Sequence, residues 1–582
     1  MRRYQPFLVV CGATLVFACA QPQREQDQGV RVEPPPPVEV EAAQQASATH
    51  AAVDAAVRHK AESRVGQLQL MQDRAAGFVA SEAPAASPEP LGRARYAPMI
   101  QDRETYQHLD ESAVLRVAEA PVSTFSIDVD TGAYSNLRRF LRSGTLPRQD
   151  AVRVEEMINY FDYGYAPPQD RSRPFSVHTE LAPTPWNPKT HLLRIGLQGW
   201  KATGVLPPSN LVFLVDVSGS MGSADKLPLV KSSLKLLVNE LGPRDSIALA
   251  VYAGASGVVL EPTPGDQKAK ILSALDRLEA GGSTNGAAGI DLAYALAQRA
   301  FLRDGINRVL LATDGDFNVG TVDFEQLKDL VEEKRKSGVA LSTLGFGTGN
   351  YNDRLMEQLA DAGNGNYTYV DGLQEARRAL VQMRAATLHT IARDVKIQVE
   401  FNPAAVAEYR LIGYENRALK REDFNNDQVD AGEIGAGHSV TALYEIALHG
   451  SGGERVQPLR YGASDALEAN PAELAHLRLR YKLPRAETSL LIEQPIRRGE
   501  IRTSLASASE SLRFAAAVSA FGQILRGGRY TERYGYQDVL RLARGARGDD
   551  ATGWKGEFVQ MVELAQSLST HAANAATTES SD

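Results

Sequence analysis

Asp216, Ser218 and Ser220 stand at alternate positions directly after the apolar run Leu211-Val212-Phe213-Leu214-Val215. A loop leaving a strand can turn alternate side chains toward one point, here a carboxylate and two hydroxyls, all hard oxygen ligands. Such a set suits magnesium or manganese at octahedral geometry, or calcium with looser geometry, and not zinc or copper. Two further segments add to it. Thr284 lies in the Gly-rich stretch Gly281-Gly282-Ser283-Thr284-Asn285, and Asp314 ends a second apolar run in Val309-Leu310-Leu311-Ala312-Thr313-Asp314-Gly315. Ser and Asp are also ordinary helix caps, so the first spacing alone reads equally well as a capped loop. Three such segments at strand ends favour a metal.

The elements that must position these residues follow from periodicity. An apolar run bounded by polar turn residues reads as a strand buried on both faces. After it, Leu229, Val230, Leu234, Leu237 and Leu241 recur at helical spacing until Gly242-Pro243 closes the element. Asp216, Ser218 and Ser220 thus occupy a strand-to-helix loop at the carboxyl edge of a sheet, where open α/β folds hold ligands. Downstream, the pattern predicts a strand over 245–252, helices over 266–278 and 286–301, a strand ending at Asp314, a helix over 324–336, a strand over 339–346 and a helix over 353–362. That alternation means a mostly parallel sheet covered by helices on both faces.

Asp-x-Ser-x-Ser, then a Thr, then Thr-Asp-Gly, in that order, resembles the metal-ion-dependent adhesion site of von Willebrand factor type A domains. The resemblance spans 208–384 and implies a Rossmann-like α/β domain there. It implies that Ser218, Ser220 and Thr284 contact an ion, Mg2+ or else Mn2+ or Ca2+, or its waters, while Asp216 and Asp314 add charge directly or through water. It also implies one open position for a carboxylate from a protein partner. A binding module of this kind, not an enzyme, is the expected function. The alternatives are a metal-dependent hydrolase and a structural envelope protein with a fold-stabilising ion. The chain has no His-Glu-x-x-His, Gly-x-Ser-x-Gly or Gly-Lys-Ser/Thr phosphate loop to support hydrolysis.

A chain of 582 residues has room for two or three domains. Its net charge of −8 argues against nonspecific nucleic-acid binding. Met1-Arg2-Arg3 and the apolar stretch 7–18 form a secretory signal over 1–19, too short to span a membrane. Val16-Phe17-Ala18-Cys19 resembles a bacterial lipobox, with Phe17 departing from the small residue usual there. Lipidation of Cys19 and membrane attachment through it are expected. Ala20 after the cysteine points to the outer membrane, with the body facing the periplasm. Cleavage after Ala18-Cys19-Ala20 is the alternative and yields a soluble periplasmic or secreted protein. Cys11 is the only other cysteine and lies within the signal, so the mature chain has no internal disulfide or zinc–thiolate site.

Residues 20–112, rich in Gln, Glu and Pro, read as a disordered or weakly helical tether. An N-terminal α+β region follows over 113–207, with a strand at Val122–Ile127, a helix bearing Tyr134, Leu137 and Phe140, and paired strands near 175–181 and 192–197. Beyond the type A segment, 385–570 reads as a β-rich domain ending in amphipathic helices marked by Phe514, Phe521, Phe558 and Val562. Residues 571–582 read as a disordered tail. The stretches around 125–160 and 480–525 resemble the flanking regions of an exported bacterial subfamily of type A proteins. Three weaker motifs fail on chemistry. Asp128-x-Asp130 has Gly132 where a haloacid-dehalogenase phosphatase has Thr or Val. Gly345-Phe346-Gly347-Thr348-Gly349 continues with Asn350 in place of the last dinucleotide-binding Gly. The calcium-like loop from Asp423 has Gln428 and Ile434 where the turn glycine and bidentate Glu belong.

Overall fold

The computed structural model describes residues 103–579 except 128–129, 171, 203, 205, 317–323, 458 and 460–471. The signal, the lipobox with Cys19, most of the tether, and Asp128 therefore lie outside the described residues. The first elements are β1 (Leu115–Arg116), β2 (Val122–Ser126), α1 (Gly132–Arg142), α2 (Val154–Asn159), β3 (Phe175–Pro183) and β4 (His191–Gly199).

The type A segment is built on β5 (Ser209–Asp216), whose eight residues are all buried. β6 (Ser246–Tyr252) and β8 (Ile306–Thr313) pair with it in parallel on either side. β7 (Ser256–Pro264) returns antiparallel beside β6, and β9 (Ala340–Gly345) and β10 (Tyr367–Tyr369) extend the other edge in parallel. The order is β10-β9-β8-β5-β6-β7. Side chains alternate across a strand, so Leu211, Phe213 and Val215 face one layer and Val212 and Leu214 the other. The first layer contains α3 (Leu227–Asn239) and α4 (Lys268–Asp276), through Val230, Leu234, Ile271 and Leu275. The second contains α5 (Gly286–Arg299), α6 (Phe324–Arg335) and α7 (Asp353–Ala362), through Ile290, Leu327 and Leu355. This is the mostly parallel, doubly covered sheet that the alternation predicts and the Rossmann-like fold that the resemblance implies. β7 and β10, which the sequence reading passed over, are the additions; the exposed Val258 and half-buried neighbours of β7 weaken the apolar signal of an edge strand, and β10 is only the three residues Tyr367–Tyr369.

After α7 come α8 (Leu373–Arg377), a π-helical turn at Arg378–Gln382 and α9 (Arg384–Leu388). The chain then forms β11 (Thr390–Phe401), β12 (Val406–Ile412), β13 (Ile434–Gly435), β14 (Ser439–Leu448), β15 (Glu473–Lys482) and β16 (Leu490–Arg497). It ends in α10 (Glu510–Leu525), α11 (Tyr536–Gly545) and α12 (Trp554–Glu579).

These strands do not make a domain of their own. One antiparallel sheet runs β1-β12-β14-β4-β3, and the other runs β13-β11-β15-β16 with β2 also paired to β11. Each sheet takes strands from both sides of the type A segment. The separate regions expected at 113–207 and 385–570 are therefore one body, with the type A segment inserted between its halves. The physical reason is plain in the register: β4 is bonded along its length to β14, so neither half has a complete sheet without the other. Phe125, Phe401, Tyr409 and Tyr444 fill the space between the sheets, with Phe401 and Tyr409 stacked at 4.3 Å. The five helices α1, α2 and α10–α12 share a second core around Met157, Phe161, Phe514 and Phe558.

Both ends of the body also differ from expectation. α12 continues to Glu579, so most of the stretch 571–582 read as a disordered tail is helical. At the other end, the last residues of the supposed tether are docked. Arg103 N donates to Gly349 O at 2.8 Å, Thr105 N to Tyr351 O at 2.9 Å, and Asp353 N to Thr105 O at 3.1 Å.

Buried arginines join the body to the type A segment. Arg138 on α1 reaches Asp371 at 2.6 Å and Glu375 at 2.8 Å, as well as Glu557 of α12 at 2.8 Å. Arg153, just before α2, reaches Asp353 at 2.7 Å and Glu357 at 2.8 Å on α7. Arg417 reaches Glu357 at 2.9 Å and Asp361 at 2.5 Å.

Candidate metal centre

β5 and β8 run side by side in parallel, so Asp216 at the end of β5 and Asp314 directly after β8 reach the same edge of the sheet. Both side chains are buried to 0% exposure. Asp216 accepts hydrogen bonds through Oδ1 from Ser218 N at 2.8 Å and through Oδ2 from Thr313 Oγ1 at 2.8 Å and Tyr252 OH at 3.3 Å. Burial, and to a lesser degree the charge of Asp314, push its carboxyl above the usual range despite those donors. Among the described residues, no Lys or Arg pairs with it.

The turn after β5 holds the hydroxyls. A 3-10 turn at Gly219–Gly222 is anchored by Met221, which is fully buried, and brings Ser218 Oγ and Ser220 Oγ to 3.1 Å of each other. Ser218 is buried and Ser220 exposed, so the pair faces outward from the sheet edge. The Gly-rich loop is tied to the same turn: Gly281 N donates to Val217 O at 2.7 Å and Gly219 N to Gly282 O at 3.0 Å. Gly282 adopts φ +84°, a left-handed conformation that favours glycine. Thr284 is half-buried two residues beyond this clamp. Among the described residues, its hydroxyl bonds to none of the other four candidates.

Asp314 is the more heavily engaged carboxylate. Its Oδ1 accepts from Asp316 N at 3.0 Å, and its Oδ2 from Lys226 Nζ at 2.9 Å and Asn350 Nδ2 at 3.0 Å. Burial pushes its carboxyl up, but the Lys226 charge and the bonds from Lys226, Asn350 and Ser220 outweigh burial and hold it below the usual range. Asp216, Ser218, Ser220 and Asp314 are thus gathered, and the loop of Thr284 is fastened beside them.

Sequence reasoning missed Lys226, Asn350, Thr313 and Tyr252. Thr313 was visible in Thr-Asp-Gly, immediately before a candidate ligand. Asn350 was visible only as the residue that spoils a glycine fingerprint. Lys226 and Tyr252 carried no signal, because their approach depends on α3 and β6 packing where they do.

The residues present fit a hard divalent ion. The set holds two carboxylates and three hydroxyls, all oxygen, and Asp216 is a buried acid lacking a cationic partner among the described residues, a costly arrangement. No three His, Cys, Asp or Glu side chains gather as a metal site among the described residues, so hydroxyl ligands are essential to this reading.

A cavity of about 630 Å³ elsewhere, lined by Tyr160, Arg378, His438 and Trp554, is a weaker candidate. Several of its charged groups are already engaged. Asp550 accepts from Lys555 N and Gly556 N, Asp130 from Tyr367 N, and Arg378 pairs with Glu375.

Three family models match successive parts of the chain: von Willebrand factor at 100–194, von Willebrand factor type A domain at 210–382, and the C-terminal region of uncharacterized protein YfbK at 386–568. The uncharacterized protein YfbK of Escherichia coli (strain K12) is 47% identical over 472 residues, which is 80% of this chain and 81% of that protein. Human inter-alpha-trypsin inhibitor heavy chain H4 is 30% identical over 148 residues, covering 24% of this chain and 16% of that one. Among solved structures, von Willebrand factor type A from Catenulispora acidiphila is 16% identical with a TM-score of 0.39, covering 66% of this chain and 89% of that chain. The parallel sheet with its two carboxylates at one edge is the part matched as a von Willebrand factor type A domain, and the chain belongs to the YfbK family.

Proposed function

We propose that the protein is a cell-envelope binding module in which the type A domain holds a divalent ion, Mg2+ or alternatively Mn2+ or Ca2+, and captures an Asp or Glu of a protein partner. Asp216, Ser218, Ser220, Thr284 and Asp314 would hold the ion. The ion supplies positive charge to which an outside carboxylate is drawn. The observation that carries the reading is the meeting of two buried carboxylates and two adjacent hydroxyls at one sheet edge, one acid lacking a basic partner among the described residues. Membership of the type A family, a protein-interaction module, supports the binding role. Export and a lipid anchor on Cys19, with the body in the periplasm, are part of the proposal and are supported by the leader sequence alone. The alternative of a metal-dependent hydrolase has no catalytic motif in the sequence to support it.

Calorimetric titration of the metal-free protein with Mg2+ and Mn2+ tests the site. The wild type is expected to bind one ion, and Asp216→Ala combined with Ser218→Ala to bind none. Titration heats unchanged in the double variant would end this reading.

A further inference from the structure

Lys226 brings a built-in cation to the same centre. Its Nζ lies 2.9 Å from Asp314 Oδ2 and 2.7 Å from Asn350 Oδ1, and its side chain is only 7% exposed. The stem crosses Gly347, where an added Cβ would fall 2.4 Å from Lys226 Cγ and Cε, and where φ is +79°. Only a glycine there leaves this path open. Asn350 completes the clasp, its Nδ2 donating to Asp314 Oδ2 at 3.0 Å and Asp316 Oδ2 at 3.2 Å. The ammonium is therefore held from three directions: the start of α3, the end of β8 and the loop between β9 and α7.

We propose that Lys226 is an internal competitor of the divalent ion, and that it makes ion binding depend on an outside carboxylate. The proposal rests on the metal reading above. Among the residues assigned to the ion, Asp216 and Asp314 bring two negative charges, the hydroxyls none, and Lys226 on Asp314 one positive charge; Asp316 meets this set through its backbone N–H and the Asn350 amide, so its carboxylate is not counted among the ion's ligands. A divalent ion added to this set leaves one positive charge in excess, and a single carboxylate from a partner removes it. Without the lysine, the two aspartates alone neutralise the ion, and an arriving acid adds an unbalanced negative charge. Lys226 thus lowers the affinity for the ion alone and raises the coupling between ion and acid. Low dielectric at a buried site strengthens each of these terms. Asn350 is a positioning residue in this scheme, because it holds the ammonium on Asp314.

The experiment titrates the metal-free full chain with Mn2+, reading free ion by electron paramagnetic resonance. Acetate is then titrated onto the Mn2+-loaded protein, reading water-proton relaxation. Wild type, Lys226→Met, Lys226→Gln and Asp216→Ala are compared, with circular dichroism to check folding. Both lysine variants are expected to bind Mn2+ at least tenfold more tightly than wild type. Acetate is expected to tighten Mn2+ binding at least fivefold less in them than in wild type. Lys226→Gln keeps a donor for Asp314 without the charge, so it reports on charge should Lys226→Met fold poorly. Equal Mn2+ affinity in wild type and the lysine variants overturns the competitor role while leaving the metal reading intact. Absence of Mn2+ binding in every protein, or full binding in Asp216→Ala, overturns both.

Discussion

Replacing Arg153 with Met should unfasten the type A segment from the body in a pH-dependent way. The guanidinium lies 2.7 Å from Asp353, 2.8 Å from Glu357 and 3.2 Å from Glu156, and all four side chains are at most 3% exposed. Met keeps most of the volume and deletes the charge. Removing one partner from a buried ion pair typically costs about 3–5 kcal/mol, because the opposite charge is left uncompensated; here three acids lose their shared cation, although Glu357 keeps Arg417. Burial already pushes Glu156 up to about 8 against the pull of Arg153. A carboxyl raised in the folded state contributes stability that is fully present below its unfolded value and is lost as pH rises through the folded value. Without Arg153 the acids must hold protons more firmly to remain buried. The cost is therefore expected to be small near pH 5 and to reach about 3–5 kcal/mol near pH 8. Trp186, Trp200 and Trp554 all lie outside the type A segment, so urea titrations followed by tryptophan fluorescence report on the body, and far-ultraviolet circular dichroism on the whole. A loss under about 1 kcal/mol at both pH values, or a larger loss at the lower one, would refute the assignment of Arg153 as the shared cation.

Gly315 has φ +77°, and a Cβ there would fall 2.9 Å from Asn352 N, so Gly315→Ala should cost about 1–3 kcal/mol and weaken Mn2+ binding by displacing Asp314. Gly281, with open space around its Cβ position, is the control, expected within about 0.5 kcal/mol of wild type in thermal melts. Glu104 accepts from Gly349 N at 2.9 Å while holding Arg139 at 2.8 Å. Glu104→Ala should raise amide hydrogen exchange at Gly349 and Tyr351 and, by loosening the hold of Asn350 on the Lys226 ammonium, raise Mn2+ affinity a few fold; unchanged exchange there would contradict the bracing role.

Most of the type A sheet was legible because β5 and β8 are short, strongly apolar and each followed by a periodic helix, whereas the half-exposed β7 and the three-residue β10 carry no such signal. β5 shows this most clearly, with Leu211–Val215 all buried as the run predicts. The body was not legible as one unit. β2 finds its partner β11 about 270 residues away, and β4 finds β14 about 250 away, measured along the chain. Local alternation reveals that a strand exists and says nothing about which distant strand completes its ladder. The site divides in the same way. Asp216, Ser218 and Ser220 announce themselves by spacing, whereas Lys226 sits four residues past Gly222 in an unremarkable helix start and becomes a site residue only because Gly347 admits its stem.

The loop between β9 and α7 carries both the metal centre and the body contact. Asn350 touches Asp314, Asp316 and Lys226, and three residues later Asp353 is a partner of Arg153. Between them, Tyr351 is fully buried and bonded through its carbonyl to Thr105. A segment this short, fixed at both ends, cannot move Asn350 without disturbing Asp353 or the 103–105 backbone. Docking of the body favours the placement of Asn350 that keeps the Lys226 ammonium on Asp314, and linkage then requires that ion binding and docking oppose one another by the same factor. Arg153→Met should therefore tighten Mn2+ binding while lowering stability, although its ion pairs are with Glu156, Asp353 and Glu357 and with none of the residues assigned to the ion. An Mn2+ affinity equal to wild type in a folded Arg153→Met protein would show that the loop transmits nothing.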